Sequence, residues 1–313
     1  MQRLEEFGPF FSGSRIGILL VHGLAGTPAE MKAVAKGLNK HGFSVLCPLL
    51  AGHCSSEADL IATTWKNWTA SVETAYERMA EHMDVIFAGG LSAGAVLSLY
   101  LAQRKPEGVR GLSLYSITLR WDGWSIPKLS FLLPLVLRLP YIGKRYRFEE
   151  VYPYGIMNEK LRRRIHSQMQ SGDSSVAGHS ATPGTSLREL WRLVDIVKKG
   201  LPEVFTPTLL IHARNDDIAS PSNAVHVQQH LGGPAELLLL ENSYHMITVD
   251  QERNTVCDAT AAYFRNLLNE AEKEELARHA YPAIPATVPE PTADRDENRM
   301  ERSESMTCQA TSA

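Results

Sequence analysis

The stretch GGLSAGAV, residues 89–96, lies between an apolar run of strand type, 84–90, and a segment of helical character. Gly90 and Gly94 flank Ser92 at two residues on either side. A serine at the start of a helix can serve simply as its N-cap, because its oxygen accepts from the free amides of the first turn. An N-cap needs neither glycine, whereas a sharp strand-to-helix turn that exposes a nucleophile needs small residues on both sides. The motif therefore favours Ser92 as a nucleophile.

Apolar runs of strand length alternate with longer amphipathic segments along most of the chain. Most of these runs are apolar throughout, as in strands that are covered on both faces. The alternation predicts an α/β fold with a doubly wound, mostly parallel sheet of six strands and helices on both faces. The predicted strands are 16–23, 43–50, 84–90, 109–116, 206–213 and 235–241, and the predicted helices are 27–42, 64–80, 93–103, 220–232 and 250–268.

The region between the fourth and fifth predicted strands breaks this alternation. Residues 117–203 contain no clear buried strand, but they hold aromatic residues, prolines and two or three helix-like segments. We interpret 117–203 as a helical cap inserted into a core that consists of residues 1–116 and 204–270.

The last segment, 271–313, is predicted to continue as a charged helix and then to become disordered. Its composition has too few apolar residues to build a core. Truncation after about Glu275 is accordingly expected to leave stability nearly unchanged.

The composition excludes several classes of function. A net charge of −3 argues against a polyanionic partner, so nucleic acid binding is not expected. Four cysteines without a C-x-x-C pair indicate neither a disulfide framework nor a zinc knuckle, and they fit a reducing compartment. The longest apolar patch, 129–142, is too short to span a bilayer and is interrupted by prolines and an arginine. With no secretory signal in residues 1–15, we expect a cytoplasmic protein without stable membrane insertion.

A serine nucleophile needs a base, usually a histidine that a carboxylate orients. Asp216 and Asp217 follow the fifth predicted strand, and His245 follows the sixth. Each lies a few residues beyond a buried strand, at the sheet edge that also carries Ser92. We predict Asp216 as the acid and His245 as the base. Asp217 is expected to turn outward or to cap the next helix, and Asp122, after the fourth strand, is a second alternative.

The tetrahedral oxyanion of an acyl transfer also needs hydrogen-bond donors. One should be the amide of Ala93, directly after the nucleophile, and the other the amide of Leu24 in the loop VHGLAGTP, residues 21–28. We expect His22 to support this loop by hydrogen bonds rather than to take part in the chemistry.

Four stretches together resemble small bacterial carboxylesterases and monoacylglycerol lipases of the α/β-hydrolase fold. The resemblance runs from Ile16 to about Leu268, apart from the insertion. It implies a Ser92–Asp216–His245 triad, with the amides of Leu24 and Ala93 as the oxyanion hole. The stretches are LLVHGLAGTPAEM (19–31), GLSAG (90–94), TLLIHARNDDIASP (208–221) and SYHMITVDQER (243–253).

The chain departs from this family in two places. Gly52-His53-Cys54 stands where relatives usually have Gly-His-Gly, which could alter the loop at the pocket mouth. The residues before the first predicted strand are too few for the leading antiparallel hairpin of larger hydrolases, which is why six strands are expected.

The expected activity is hydrolysis of small-molecule carboxylic esters through an acyl-enzyme, without a metal or cofactor. Short to medium acyl chains, including monoacylglycerols, would be bound against the cap, with Trp124, Phe131 and Leu135 as candidate pocket residues. His226 and His230 have metal-ligand spacing on one helix, but the sequence offers no evident third ligand.

Three alternatives remain open at this point. The same triad could serve a thioesterase or an acyltransferase, and the basic run Arg162–Arg164 could then face a coenzyme A thioester. His245 and Asp250 also match the H-x-x-x-x-D pattern of glycerolipid acyltransferases, although Asp250 is more simply the N-cap of the last helix. A non-catalytic ligand-binding homologue of the hydrolases is the third alternative.

Overall fold

The computed structural model describes residues 3–137, 145–149, 152–170 and 181–281. The strands in these ranges fall into a large sheet and a small two-stranded one. They are β1 (Phe10–Phe11), β2 (Ile16–Val21), β3 (Ser44–Leu46), β4 (Val85–Leu91), β5 (Leu112–Tyr115), β6 (Arg147–Glu149), β7 (Ala181–Pro183), β8 (Thr208–Ala213) and β9 (Ala235–Leu240).

The large sheet has seven strands in the order β1-β3-β2-β4-β5-β8-β9. All neighbours in it are parallel except β1 and β3. The mostly parallel sheet predicted from the sequence is thereby confirmed, and each of the six predicted strands is present.

The predicted count of six strands is wrong by one, because β1 forms an antiparallel edge. Phe10 pairs with Leu46 and Phe11 with Val45, and the Cys47 amide donates to the Pro9 carbonyl at 2.9 Å. A strand of two residues is too short to give a hydrophobic pattern, so only the main-chain pairing reveals it.

Helices cover both faces of the large sheet, as the sequence predicts. None of the helices in the described ranges is long and apolar enough to cross a membrane. They are α1 (Lys32–Lys40), α2 (Glu57–Ala62), α3 (Trp65–Ala80), α4 (Ala93–Arg104), α5 (Leu133–Val136), α6 (Glu159–Gln170), α7 (Gly184–Gly200), α8 (Ser222–His230), α9 (Arg253–Asn266) and α10 (Glu270–His279), with short 3₁₀ turns at Leu4–Phe7, Pro28–Met31, Lys128–Leu132 and Leu201–Glu203.

Successive residues of the central strands enter different cores. In β4, Ile86 and Ala88 pack with α3, α4 and α7, whereas Val85 and Phe87 pack with α1 and α9. Side chains alternate across a strand, so a strand that is apolar at every position is buried on both sides. This explains why the predicted strands show no alternation of polar and apolar residues.

The segment between β5 and β8 contains α5, α6, α7 and the small sheet of β6 and β7. The two strands of this ribbon are antiparallel, with Phe148 opposite Thr182. Each has three residues, which is too short to give a periodic pattern in the sequence, so neither strand was predicted. Helix α7 joins this segment to the core, because Leu187, Leu190 and Val194 are buried with residues of α3 and α4.

The order in which the chain adds strands reverses at β2, because β3 lies on one side of β2 and the next strand, β4, lies on the other. In open α/β sheets, ligands bind outside the carboxyl ends of the strands at such a reversal. Val21, the last residue of β2, pairs with Gly90 near the end of β4. The loop after β2 and the turn at Ser92 therefore begin side by side at this point.

Helix α10 is part of the folded body, and this changes the expected effect of truncation. Leu276 is fully buried in the core cluster that also contains Leu38 and Phe264. The turn at Gly42, with φ of 98°, leaves no room for a side chain, since a methyl group there would lie 2.2 Å from the Leu276 carbonyl oxygen. The expectation that residues beyond Glu275 bury almost no apolar surface is therefore wrong for Leu276.

We expect truncation after Glu275 to lower the free energy of unfolding by about 2–3 kcal/mol, because it removes a fully buried leucine. Leu276→Ala should reproduce most of this loss, and truncation after Ala280 should cost little. Thermal or urea unfolding of the three variants measures the difference. Equal stability of the full chain and the Glu275 truncation would contradict the packing of α10.

Candidate active site

Ser92 occupies a strained turn between β4 and α4. Its backbone has φ of 57° and ψ of −113°, a conformation that non-glycine residues rarely adopt. A methyl group on Gly94 would lie 2.1 Å from the Val21 carbonyl oxygen, and one on Gly90 would lie 2.5 Å from the same atom. Both glycines of the motif are thus required by the close approach of β2 to this turn.

The Ser92 hydroxyl lies 3.1 Å from the hydroxyl of Thr118, in the loop after β5. Thr118 donates its own hydrogen to the Ser116 carbonyl at 3.0 Å. Thr118 therefore accepts from Ser92, so the Ser92 hydrogen points toward the threonine in this state. Thr118 was not predicted, because no local pattern indicates a partner 26 residues away.

His245 and Asp216 form a buried hydrogen-bonded pair beyond the ends of β9 and β8. Nδ1 of His245 lies 2.8 Å from Oδ2 and 3.0 Å from Oδ1 of Asp216. Because a carboxylate accepts, Nδ1 carries the hydrogen, and this tautomer leaves Nε2 as an acceptor.

Three further groups hold the Asp216 carboxylate. The amides of Ile218 and Ala219 both donate to Oδ1 at 2.8 Å. His212, a buried residue of β8, brings Nε2 to 3.2 Å from Oδ2. The orientation of the carboxylate is thereby fixed on both oxygens.

Opposite charges set the ionisation of this pair. Burial alone would raise the pKa of Asp216, but the charge and hydrogen bonds of His245, together with those of His212, hold that pKa well below its usual range. Burial would lower the pKa of His245, but Asp216, with smaller contributions from Asp217 and Glu30, raises it above its usual value. The arrangement thus stabilises an imidazolium on His245.

Asp217 lies inside the protein, so the expectation that it turns outward or caps the next helix is wrong. It is 0% exposed, and its carboxylate accepts from the His245 amide at 3.2 Å and from the Gly155 amide at 3.0 Å. Burial raises the pKa of Asp217. Asp217 therefore connects the inserted segment to the loop that carries His245.

Asp250 makes a similar connection and is not the N-cap of α9. The helix begins at Arg253 with Glu252 as its N-cap residue. The Asp250 carboxylate accepts from the amides of Met157 at 2.7 Å and of Asn158 at 3.0 Å. The two buried carboxylates at 217 and 250 thus accept from main-chain amides within residues 155–158.

Asp122, the second alternative for the acid, has a structural role near α8. Its Oδ1 accepts from the Ser220 amide at 2.8 Å and from the Asn223 side-chain amide at 2.9 Å. This carboxylate holds the loop that precedes α8, and its described hydrogen bonds do not involve His245.

The loop after β2 is braced by two buried histidines. His22 Nδ1 lies 2.9 Å from the Gly23 carbonyl and Nε2 accepts from the Leu50 amide at 3.3 Å. His53 Nε2 accepts from the Ala25 amide at 3.2 Å. Burial, helped by the neighbouring His53, lowers the pKa of His22 to about 3, so this ring is neutral. These contacts agree with a supporting role for His22.

Glu30 adds a carboxylate to the same loop. Its Oε2 accepts from the Gly23 amide at 3.0 Å and its Oε1 from the Thr27 amide at 3.4 Å. Burial raises the pKa of Glu30 to about 7. A methyl group on Gly26 would lie 1.9 Å from this carboxylate, so the glycine is needed for space. The candidate oxyanion donor, the amide of Leu24, follows directly after the anchored Gly23.

Ala93, the other candidate oxyanion donor, is the first residue of α4.

In the Gly52-His53-Cys54 loop, Cys54 has φ of 56°, a left-handed conformation that favours glycine. The departure from Gly-His-Gly thus places a side chain at a position whose backbone suits glycine.

The three candidate pocket residues lie in the segment after β5. Trp124 is 59% exposed, its Nε1 donates to the Asn215 carbonyl at 3.0 Å, and its ring packs edge-on against Tyr244. It therefore contacts the residues that immediately precede Asp216 and His245. Phe131 lies in the Lys128–Leu132 turn and Leu135 in α5. The side chains of Phe131 and Leu135 are outside the described part of the structure.

One group of potential metal ligands occurs in the described ranges, away from the triad-bearing loops. It consists of His41 after α1 and Cys257 and Asp258 of α9, with ligand atoms within 4.8 Å of one another. His226 and His230 on α8 lie side by side, with ring centroids 4.1 Å apart and ring planes tilted by 30°.

Comparison with known proteins agrees with this architecture. The chain is 30% identical to a thermostable monoacylglycerol lipase of Bacillus sp. (strain H-257), over 82% of this chain and 93% of the relative. It is 25% identical to a carboxylesterase of Bacillus subtilis (strain 168), over 79% and 92% of the two chains. A solved structure from work on LipS and LipT, two metagenome-derived lipolytic enzymes, superimposes with a TM-score of 0.71 at 28% identity, covering 82% of this chain and 96% of that one. Residues 14–252 match the family described as serine aminopeptidase, S33, and the chain belongs to this family of α/β-hydrolases.

Proposed function

We propose that this protein is a carboxylic ester hydrolase that uses Ser92 as nucleophile, His245 as base and Asp216 as acid. The observation that carries the proposal is the buried His245–Asp216 hydrogen bond at the sheet edge where the strained turn presents Ser92. The lipase and esterase relatives support ester substrates, and monoacylglycerols are the class that the relative at 30% identity suggests.

The reaction begins when the Ser92 hydroxyl exchanges its Thr118 partner for Nε2 of His245. His245 takes the hydroxyl proton as the serine oxygen attacks the ester carbonyl carbon. The amides of Leu24 and Ala93 donate to the oxyanion, and Asp216 stabilises the imidazolium that has formed.

The tetrahedral intermediate then collapses as the bond to the alkoxy group breaks. The alcohol leaves with the proton from His245, and an acyl group remains on Ser92. Water repeats the same steps on the acyl-enzyme, so that the acid is released and the serine regains its proton.

Nitrophenyl acetate and butyrate test the proposal directly, followed by a panel of esters, thioesters and monoacylglycerols. Turnover of esters supports the proposal, and its complete absence would favour a ligand-binding homologue. A strong preference for thioesters would favour the thioesterase alternative. That alternative is less well supported, because Arg162 donates to the Ile156 carbonyl at 3.1 Å and Arg163 pairs with Glu159.

The segment 117–203 is proposed as the cap that forms the acyl pocket. An acyl chain gains about 0.8 kcal/mol for each buried methylene. Catalytic efficiency should therefore rise from acetate to butyrate or hexanoate esters and fall once the pocket is full. Alanine at Trp124, Phe131 or Leu135 should lower the hexanoate-to-acetate ratio of kcat/KM if that side chain lines the pocket.

Phe205→Ala is the matched control for these variants. Phe205 is also an exposed aromatic residue, at 70%, but it precedes β8 and so lies at the opposite edge of the sheet from Ser92. Its ratio should equal that of the wild type. If the ratio stays constant in all the cap variants while stability falls, the cap aromatics are structural and the pocket lies elsewhere.

A further inference from the structure

His212 is a buried histidine of β8 that the proposed reaction does not use. Its Nε2 lies 2.8 Å from the Ala219 carbonyl and 3.2 Å from Oδ2 of Asp216. Both partners are acceptors, so Nε2 carries the hydrogen and donates it to two oxygens. His212 is thus a hydrogen-bond donor to the carboxylate that also receives His245.

The other ring nitrogen of His212 shows that a histidine at this buried position carries a cost in stability that an apolar residue would not. Nδ1 is buried and has no hydrogen-bond partner in the described ranges. A buried polar atom without a partner is unfavourable for stability, and an apolar side chain would avoid that penalty. The histidine is therefore better explained by what its Nε2 does than by packing.

The contacts of Asp216 show what this donor adds. Oδ1 accepts from the amides of Ile218 and Ala219, whereas Oδ2 accepts from two histidine rings. Without His212, the only described donor on Oδ2 would be the His245 ring itself, which is the group that the carboxylate has to orient. The His212 hydrogen lies on this oxygen and fixes the plane in which Oδ2 meets Nδ1 of His245.

We propose that His212 is a positioning residue of the active site, which orients Asp216 and reduces the share of its charge that acts on His245. The site then has a Ser92–His245–Asp216–His212 series of hydrogen-bonding groups. This inference rests on the proposed triad and deepens it.

Three carboxylates act on His245, and the test has to separate their effects. Asp216 bonds to the ring, Asp217 accepts from the main-chain amide, and Glu30 contributes at longer range. A change at His212 leaves all three acids in place. The shift that it causes therefore reports on the hydrogen bonds that Nε2 of His212 donates to Asp216 and to the Ala219 carbonyl, and not on the loss of an acid.

The test compares His212→Phe, which keeps a ring but has no N–H, with His212→Gln, which can still donate through Nε2. In the phenylalanine variant, the charge of Asp216 acts on His245 without the competing donor. The acid limb of the pH profile of kcat/KM, which reports the titration of His245, should move to higher pH by at least about half a unit. The value of kcat should fall about tenfold, because the carboxylate is less well oriented. KM should change little, since His212 does not face the proposed substrate position. The glutamine variant should keep the limb of the wild type.

Thr208→Val is the matched control in the same strand. Thr208 is also fully buried, and its hydroxyl donates to the Thr206 carbonyl at 2.9 Å, away from the triad. It should change stability without moving the acid limb. If His212→Phe shifts the limb no more than Thr208→Val, or if the glutamine variant shifts it equally, the proposal is wrong.

A second measurement uses the wild type alone and does not need activity. The NMR resonance of the His212 Nε2 hydrogen should move as His245 titrates, because protonation of His245 redistributes the charge on Asp216. No movement through that titration would overturn the inference, whatever the enzyme hydrolyses. Failure of the proposed function would instead appear as absent ester turnover in the wild type.

Discussion

Ser92→Ala is expected to lose at least about 10³-fold in ester turnover, because no other group takes over covalent catalysis when a triad serine is removed. The fold should be retained. Alanine meets the same strain as serine at φ of 57°, and the only described hydrogen bond that the side chain loses is the one to Thr118. The measurement is steady-state hydrolysis of a nitrophenyl ester, with thermal unfolding to verify folding. A fluorophosphonate should label the wild type at Ser92.

Ser98→Ala is the matched control for this substitution. Ser98 is a buried residue of α4, the helix that follows Ser92, and its hydroxyl donates to the Gly94 carbonyl at 2.9 Å. Its loss should affect stability slightly and leave turnover and labelling unchanged. An active Ser92→Ala variant, or labelling at another residue, would remove the basis for the triad.

The sheet could be predicted from the sequence because its strands are buried on both faces. Such strands appear as unbroken apolar runs, and each of the six runs became a strand. The elements that were not predicted are short. Strand β1 has two residues, and the β6–β7 ribbon has three in each strand, so neither carries a periodic signal.

The candidate site could be predicted only as far as local motifs extend. Ser92 follows from the glycines around it, and His245 and Asp216 follow from their places after consecutive strands. Glu30, Asp217 and Asp250 could not be assigned, because their partners are main-chain amides. A main-chain amide occurs at almost every residue, so sequence alone does not say which one a carboxylate will meet. The sequence predicts Asp216 rather than Asp217 as the acid, but it does not show that both carboxylates bind His245, Asp216 at the ring and Asp217 at the main-chain amide.

Asp216→Asn and Asp217→Asn should both impair the enzyme, but in different ways. In Asp216→Asn, the side-chain oxygen is expected to keep the amides of Ile218 and Ala219, which donate to Oδ1. The new NH₂ group then faces Nδ1 of His245 and makes that nitrogen an acceptor. The hydrogen moves to Nε2, which is the wrong tautomer for a base. Turnover should fall by about 10⁴-fold.

In Asp217→Asn, one oxygen has to replace two, because the carboxylate accepts from both His245 and Gly155. The NH₂ group would face one of these amides. We expect stability to fall by about 2–3 kcal/mol, as for the loss of a hydrogen bond to a buried charge. Turnover should fall by at most about 10²-fold, through displacement of the His245 loop. The earlier expectation that Asp217 faces outward would have predicted almost no effect on either quantity.

Asp122→Asn separates these effects from the loss of a carboxylate that only holds a loop, although Asp122 is more exposed than Asp216 or Asp217. Asp122 supports Ser220 and Asn223 before α8, so its replacement should cost stability without a specific loss of turnover. The measurements are kcat for all three variants under saturating ester and urea unfolding of each. If Asp217→Asn reduces kcat more than Asp216→Asn does, Asp217 is the acid that supports His245. A loss of turnover in Asp216→Asn no larger than that in Asp122→Asn would exclude Asp216 from the triad, because a carboxylate that sets the tautomer of the base has to be far more sensitive than one that holds a loop.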